Sequence, residues 1–204
     1  MIHISWSNSK LGPIPSVNLP PIVTCNQNAP CTNGKKCYAC KGRFNFRNVQ
    51  DSMWENYDRW NKHSPECYFQ DIENACVTSK YFRYHSAGDI PGPVYFFHMV
   101  KLAKKIPSTR FLCFTKQYHI VNAYIDQCGE LPENMVVVFS AWGNFLPDNP
   151  HNLPVAYVRL KSGEGLEHIP SDVRECSGYC ASCIQLGQHC WNLEYGQSVA
   201  FNEH

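Results

Sequence analysis

Residues 80–140, KYFRYHSAGDIPGPVYFFHMVKLAKKIPSTRFLCFTKQYHIVNAYIDQCGELPENMVVVFS, decide the fold class of this chain. Aromatic and β-branched runs predict three strands, at 80–85, 109–115 and 135–140. Between these strands, apolar residues recur at helical spacing over 91–103 and 117–128, which predicts two helices. Strand, helix, strand, helix, strand is the order of parallel α/β structure, with a right-handed crossover at each step.

Weaker patterns extend this core on both sides. We expect a helix over 66–75, a strand over 154–158 and a further strand over 166–169. The proline-rich stretch 11–34 predicts an irregular loop, since proline removes a backbone donor. The predicted architecture is a small or partial parallel α/β barrel with irregular, cysteine-rich metal-binding segments at its N- and C-terminal ends. An open three-layer sheet is the alternative, because both architectures have the same local pattern.

A length of 204 residues fits a single domain. We expect cysteine-rich, basic loops at 1–50, an α/β core at 79–170 and a C-terminal cysteine segment at 171–204. No apolar run reaches the roughly 18 residues that span a bilayer, and the first residues lack a secretory signal. We therefore expect a cytoplasmic protein with no membrane association, in which cysteine clusters are more often ligands than disulfides. An exported protein with a disulfide framework is the alternative.

Eight of the twelve cysteines form two groups near opposite ends of the chain. The groups read Cys25-x5-Cys31-x5-Cys37-x2-Cys40 and Cys176-x3-Cys180-x2-Cys183-x6-Cys190. Each contains a Cys-x2-Cys pair, a spacing that lets two thiolates reach one metal from a tight turn. We expect all eight to be metal ligands, holding one or two 4Fe-4S clusters. Zinc is the alternative, because it also accepts four thiolates.

Charge is distributed unevenly along the chain, although the net charge is only +1. Residues 1–50 contain six basic residues and no acidic ones, and five of the six lie within 35–47. This excess can compensate the negative charge of thiolates around an iron–sulfur centre. It can equally mark a nucleic-acid surface formed by the basic residues at 35–47.

Polar residues follow the predicted strands and form a second candidate site. Ligands of parallel α/β folds bind at the carboxyl ends of strands, which is where these residues would meet. We expect catalytic roles for His85, Asp89 and Lys116, and ligand binding by Gly88, Asp89 and Trp142. The alternatives are structural: Asp89 would cap the helix that follows, and His85 would be a satisfied core residue.

The chain resembles a phage family, the gene product eighty-eight family, and is distantly similar through it to radical S-adenosylmethionine proteins. The resemblance is carried by four stretches: Cys37-Tyr38-Ala39-Cys40-Lys41-Gly42, the Arg-x-His-x-x-Gly-Asp run from Arg83 to Asp89, Phe114-Thr115-Lys116, and Cys183 through Cys190-Trp191. It implies cysteine sites, a phage origin and the bacterial host cytoplasm. It implies no particular reaction.

These observations predict a phage-type iron–sulfur protein with a radical-enzyme-like core and a redox or cluster-dependent role. In its strongest form S-adenosylmethionine is a further ligand, held near Gly88 and Asp89. A weaker form uses the clusters for electron transfer, sensing or stability. A zinc-stabilised nucleic-acid-binding module is the alternative function. For both forms of the iron–sulfur hypothesis, we expect the partner to be a small molecule or a host protein.

Overall fold

A mostly parallel sheet organises the chain in this computed structural model, which describes residues 1–33 and 36–203. Lys35, one of the basic residues at 35–47, lies outside the described residues. Within the described residues the sheet has eight strands: β1 (Ile4–Ser5), β2 (Ser16–Val17), β3 (Tyr81–Tyr84), β4 (Arg110–Thr115), β5 (Met135–Ser140), β6 (Val155–Arg159), β7 (Arg174–Glu175) and β8 (Ser198–Asn202). The spatial order is β1-β2-β3-β4-β5-β6-β8-β7, and only the β1–β2 pair is antiparallel.

Five α-helices accompany these strands in the described part of the chain. They are α1 (Arg47–Lys62), α2 (Pro65–Cys76), α3 (Pro93–Lys105), α4 (Tyr118–Cys128) and the short α5 (Cys180–Gln185). The helices predicted over 66–75, 91–103 and 117–128 are confirmed. The apolar pattern did not predict α1, because its buried face includes Asn56, whose amide bonds the backbone of His3 and Asn18.

The predicted strands are confirmed except for the one over 166–169. Leu166–His168 forms a 3₁₀ turn instead, preceded by Gly165 in the left-handed region with φ of 75°. A Cβ on Gly165 would lie 2.4 Å from the carbonyl carbon of Gly143, so this turn needs close backbone contact that an extended strand would not make. Strands β1, β2, β7 and β8 were not predicted; β1, β2 and β7 are two-residue pairings, too short for a periodic signal.

The two faces of the sheet have different coverings. Phe82 and Tyr84 of β3 pack with helices α2, α3 and α4 in the larger core cluster. Side chains alternate between the two faces along each strand, and Leu112 of β4 and Val138 of β5 point to the opposite face. There they pack against segments from both ends of the chain, represented by Leu11 and Trp191.

The strand order distinguishes two ways of building parallel α/β structure. From β2 to β6 each strand lies beside the next one along the chain, and α3 and α4 pack on the same face. A barrel is wound in this way, whereas a doubly wound sheet reverses its order and carries helices on both faces. In the described residues β1 and β7 are edges that do not pair with each other. The mixed α/β class is confirmed, and the barrel geometry stays a prediction.

Trp191 joins the C-terminal cysteine segment to the sheet. It is only 1% exposed, and its Nε1 donates a hydrogen bond of 3.0 Å to the carbonyl of Phe82 in β3. Its ring lies 5.6 Å from the ring of Tyr81, on the same strand. The neighbouring Cys190 is thereby held against the sheet face. No helix in the described residues has the length and apolar character needed to cross a bilayer.

Candidate functional site

A cavity of about 910 Å³ opens on the sheet face opposite the main helices and extends to the carboxyl ends of β3, β4 and β5. Six cysteines line it: Cys25, Cys31, Cys37, Cys176, Cys180 and Cys190. The fold therefore brings thiols from both ends of the chain to one space. Cys40 and Cys183, which are also described, are not among the lining residues.

The N-terminal thiols lie at the end of the cavity formed by the strand termini. Burial, together with the charge of Asp89 and the nearby thiols Cys37 and Cys31, raises the pKa of Cys25 to about 12. Burial also raises the pKa of Cys31, whereas the ammonium of Lys116 acts in the opposite direction. Burial raises the pKa of Cys37, and the nearby thiol of Cys40 acts in the same direction. At neutral pH the partly buried thiols of Cys25, Cys31 and Cys37 are protonated in the absence of a metal.

The C-terminal thiols lie on the sheet face beside basic residues. Arg174 Nη2 lies 3.7 Å from the sulfur of Cys190, and the backbone nitrogen of Gly178 lies 3.4 Å from the sulfur of Cys176. Burial raises the pKa of Cys190 to about 11, opposed by the charge of Arg174. Burial likewise raises the pKa of Cys180, opposed by Arg83 and Lys10. Cations are therefore placed where they would stabilise thiolates.

Basic side chains outnumber acidic ones in the cavity wall. The described lining holds six basic residues and two carboxylates: Lys10, Lys36, Lys41, Arg43, Arg83 and Lys116, against Asp89 and Glu203. Within residues 1–33 and 36–203, neither Lys10 nor Arg83 forms an ion pair with a carboxylate. Buried charges in proteins are normally paired, so this wall is complementary to an anion.

His85 lies at the cavity wall in an unusual backbone conformation. It is 2% exposed, and its φ of 56° is in the left-handed region that non-glycine residues seldom adopt. Its Nε2 lies 3.2 Å from the hydroxyl of Tyr95, while its buried Nδ1 has no hydrogen-bond partner in the described residues. Burial, assisted by the charge of Arg83, lowers the pKa of His85 to about 3. The ring is therefore neutral and presents one unpaired nitrogen.

Asp89 connects the loop after β3 to the end of β4. Its carboxylate accepts hydrogen bonds from Thr115 Oγ1 at 2.6 Å, from the backbone nitrogen of Lys116 at 2.9 Å and from its neighbour Ile90 at 2.8 Å. Burial raises its pKa, against these hydrogen bonds. The alternative interpretation of Asp89 as a helix cap is wrong, because α3 follows Gly92 and has no side-chain cap.

Lys116, Trp142 and Gly88, the other predicted site residues, also line the cavity. The ammonium of Lys116 lies 5.7 Å from the centre of the Trp142 ring, so these two residues from successive strand ends meet as predicted. Gly88, with φ of 78°, packs directly on the backbone of Leu19. Its position is explained by this close approach, whether or not a ligand also contacts it.

Lys10 and Arg83 are cavity residues that sequence reasoning did not select. Lys10 lies in an N-terminal turn, and its backbone carbonyl accepts a hydrogen bond from the backbone nitrogen of Cys180. The sequence could have indicated Arg83, because it alternates with Phe82 and Tyr84 in a predicted strand. Two apolar neighbours on the helix face place the basic side chain between them on the opposite face.

The described side chains do not form a metal coordination site in their present positions. Among the described residues, no three histidine, cysteine, aspartate or glutamate side chains are close enough to hold an ion. Each of the twelve cysteines is described, and each is a free thiol. The metal-binding segments therefore stay a prediction.

The fold and the cavity define the chain as a mostly parallel α/β protein with a cysteine-lined, electropositive site. The chain belongs to the phage gene product 88 family, whose model, described as Gene product 88, matches residues 4–190. The predicted family is thus confirmed, while the comparisons give no support to the distant similarity to radical S-adenosylmethionine proteins. No curated protein and no solved structure matches the chain.

Replacing Gly88 with alanine should destabilise the fold strongly. The new Cβ would lie 2.5 Å from the carbonyl oxygen of Leu19, in addition to the strain of a positive φ. We expect a loss of more than about 3 kcal/mol in the free energy of unfolding, measured by urea denaturation. Gly42→Ala is the matched control, since Gly42 has φ of 56° and a Cβ added there would meet nothing within 4 Å. Its expected loss is about 1 kcal/mol, and equal losses would contradict the packing argument.

Acid should destabilise the protein partly through His85. Its pKa is lowered from 6.5 to about 3 in the folded state, so below pH 6.5 the unfolded chain binds a proton that the folded chain excludes. Stability therefore falls as the pH falls through this window. His85→Asn removes the titrating ring and tolerates a positive φ. Between about pH 7.5 and 5.5 we expect the variant to lose about 1 kcal/mol less unfolding free energy than the parent.

Denaturant unfolding at the two pH values measures this difference. The control is His119→Asn, at an exposed histidine on α4. The prediction is wrong if the free energy of unfolding depends on pH in the same way for the parent and for His85→Asn. His85 would then take up a proton in the folded state as readily as in the unfolded chain.

Proposed function

We propose that the protein is an iron–sulfur protein whose two cysteine groups hold one or two clusters in a shared cavity. The observation that carries the proposal is the meeting of six thiols from opposite ends of the chain in that cavity. Unrelated buried cysteines would be expected to scatter through the core, as Cys76 and Cys113 do. A bound cluster would supply one-electron transfer, and we assign the protein a redox or cluster-dependent role in the host cytoplasm.

Electrostatics support a metal–thiolate centre over neutral thiols. Four thiolates around an iron–sulfur core carry excess negative charge, which nearby cations stabilise. Arg174 contacts Cys190, and the half-buried Lys10 lies close to Cys176, Cys180 and Cys190. Lys10 has its pKa lowered by burial and raised again by those three cysteines, so thiolates there would keep it charged.

The donor chemistry of the site fits such a centre. Both groups supply the soft thiolate ligands that iron–sulfur clusters and zinc use. The raised pKa values of Cys25 and Cys190 mean that a metal must displace protons when it binds. Binding would also draw the sulfur atoms closer together than in the metal-free arrangement.

The sheet would act as a partial barrel around this site, with strands wound in one direction and the cavity on the inner face. We favour electron transfer or sensing over S-adenosylmethionine chemistry. Both oxygens of Asp89, expected to help hold that cofactor, already accept hydrogen bonds from the protein. Asp89 instead keeps the strand ends in place beside the N-terminal thiols.

Replacing Cys37 with serine should remove about half of the bound iron if each cysteine group holds its own cluster. Iron, zinc and protein are to be quantified in protein purified without oxygen, together with visible absorbance from thiolate-to-iron charge transfer. Cys128→Ser is the control, because Cys128 is exposed and belongs to neither group. Full iron retention in Cys37→Ser would remove Cys37 from the ligand set, and a colourless parent containing only zinc would end the iron–sulfur proposal.

A zinc-stabilised nucleic-acid-binding module is the second candidate. It is favoured by the exposure of Lys41, Arg43 and Arg47 together with the aromatic side chains Tyr38 and Phe46. Exposed rings beside cations can stack on unpaired bases while the cations contact phosphates.

Salt dependence tests this second candidate. If the surface binds single-stranded nucleic acid, the logarithm of the association constant should fall linearly with the logarithm of salt concentration. Neutralising Lys41, Arg43 and Arg47 with glutamine should reduce that slope by about two to three. Fluorescence anisotropy with labelled oligonucleotides measures both quantities. Lack of binding at low salt would exclude the candidate.

A further inference from the structure

We infer that the cavity binds a small organic anion, with its carboxylate or phosphate against Arg83 and its apolar body on the sheet face. The inference rests on the proposed function, which it deepens by naming the class of ligand that shares the cavity with the thiols. It is carried by the buried guanidinium of Arg83, which has no acidic partner among the described residues, and by the apolar wall next to it.

Arg83 is only 9% exposed, yet most of its donors are unused. Its Nε donates to the carbonyl of Tyr84 at 3.1 Å, and its guanidinium lies 4.3 Å from the centre of the Phe114 ring. Within the described residues, its two terminal nitrogens form no hydrogen bond with the protein. Arginine stays charged in proteins, and an unpaired buried charge is unfavourable. A carboxylate or phosphate would satisfy both nitrogens, since either anion accepts two parallel hydrogen bonds.

The cysteine thiols by themselves do not satisfy the two terminal nitrogens of Arg83. Within the described residues, no hydrogen bond joins the Arg83 guanidinium to the sulfur of Cys180 or Cys190, which are both free thiols. Arg174 is already in contact with Cys190, and Lys10 lies close to Cys180 together with Arg83, so a thiolate at Cys180 would share its charge between two cations. A sulfur atom also lacks the pair of oxygens that match a planar fork.

The wall beside Arg83 is apolar. Alternate residues of three strands form it: Leu112 and Phe114 of β4, Ala156 and Val158 of β6, and Phe201 of β8. The volume of about 910 Å³ is within the range of cavities that hold drug-sized ligands. Inorganic phosphate would leave this wall uncovered, whereas an anion with a flat or aliphatic body would cover it.

Two fluorescent dyes of similar shape test the inference. Anilinonaphthalene sulfonate carries an anionic group, and phenylnaphthylamine is its uncharged counterpart. We expect metal-loaded parent protein, kept free of oxygen, to bind the anionic dye at least about tenfold more tightly. Arg83→Gln should remove this preference and leave binding of the uncharged dye unchanged. Arg47→Gln, at a side chain that is 95% exposed, should behave like the parent.

Benzoate and phenyl phosphate then compete with the anionic dye, and the stronger competitor identifies the preferred acid group. Arg83→Lys keeps the charge but lacks the planar fork, and should retain only part of the preference. It provides the same test if Arg83→Gln does not fold. Equal affinity of the parent for the two dyes, or an unchanged preference in Arg83→Gln, would overturn the inference.

Metal content measured on the same samples separates this inference from the proposed function. An Arg83→Gln protein that folds but loses its metal would assign Arg83 to the cluster and overturn the inference alone. A parent that holds no metal, yet prefers the anionic dye through Arg83, would support the inference and end the iron–sulfur proposal.

Discussion

The alternation of side chains along β3 is the constraint on which the rest of the molecule depends. Phe82 and Tyr84 are fully buried among the helices, which leaves Arg83 between them on the opposite face. The carbonyl of Phe82 also receives the indole N–H of Trp191, which anchors the segment carrying the C-terminal cysteines. A shift of β3 by one residue would exchange its two faces and move Arg83 into the apolar core.

Polar contacts join the loop that follows β3 to the carboxyl end of β4. Asp89 bonds the start of the loop after β4, and its own backbone nitrogen donates to Thr24 Oγ1 at 3.0 Å. Thr24 lies next to Cys25, so Asp89 positions the N-terminal thiols relative to the sheet through its backbone N–H to Thr24 and its carboxylate to the end of β4. Gly88 allows the same loop to approach Leu19 closely. An irregular N-terminal segment thus acquires a defined place without regular secondary structure.

Charge and burial oppose each other in the cavity, and this opposition would link the proposed metal binding to stability. Burial disfavours both the thiolates of the cysteines and the ammonium of Lys10 when each is considered alone. Together they stabilise each other, provided that a metal removes the thiol protons. Without a metal, neither Lys10 nor Arg83 has a carboxylate partner in the part of the chain that the structure describes. The free energy of metal binding would therefore contribute directly to the stability of the folded state.

The sequence by itself determined the α/β class, the central strands and helices, the family and the types of residue in the site. These features depend on local periodicity, on turn chemistry and on spacing within short segments, as in the alternation around Arg83 and the run from His85 to Asp89. Only the tertiary structure decided that Cys25 and Cys190 line one cavity, that Asp89 bonds Thr115, and that Asn56 makes α1 part of the core. Contacts between residues so far apart along the chain arise from the packing of the whole sheet, which leaves no periodic trace in any one segment.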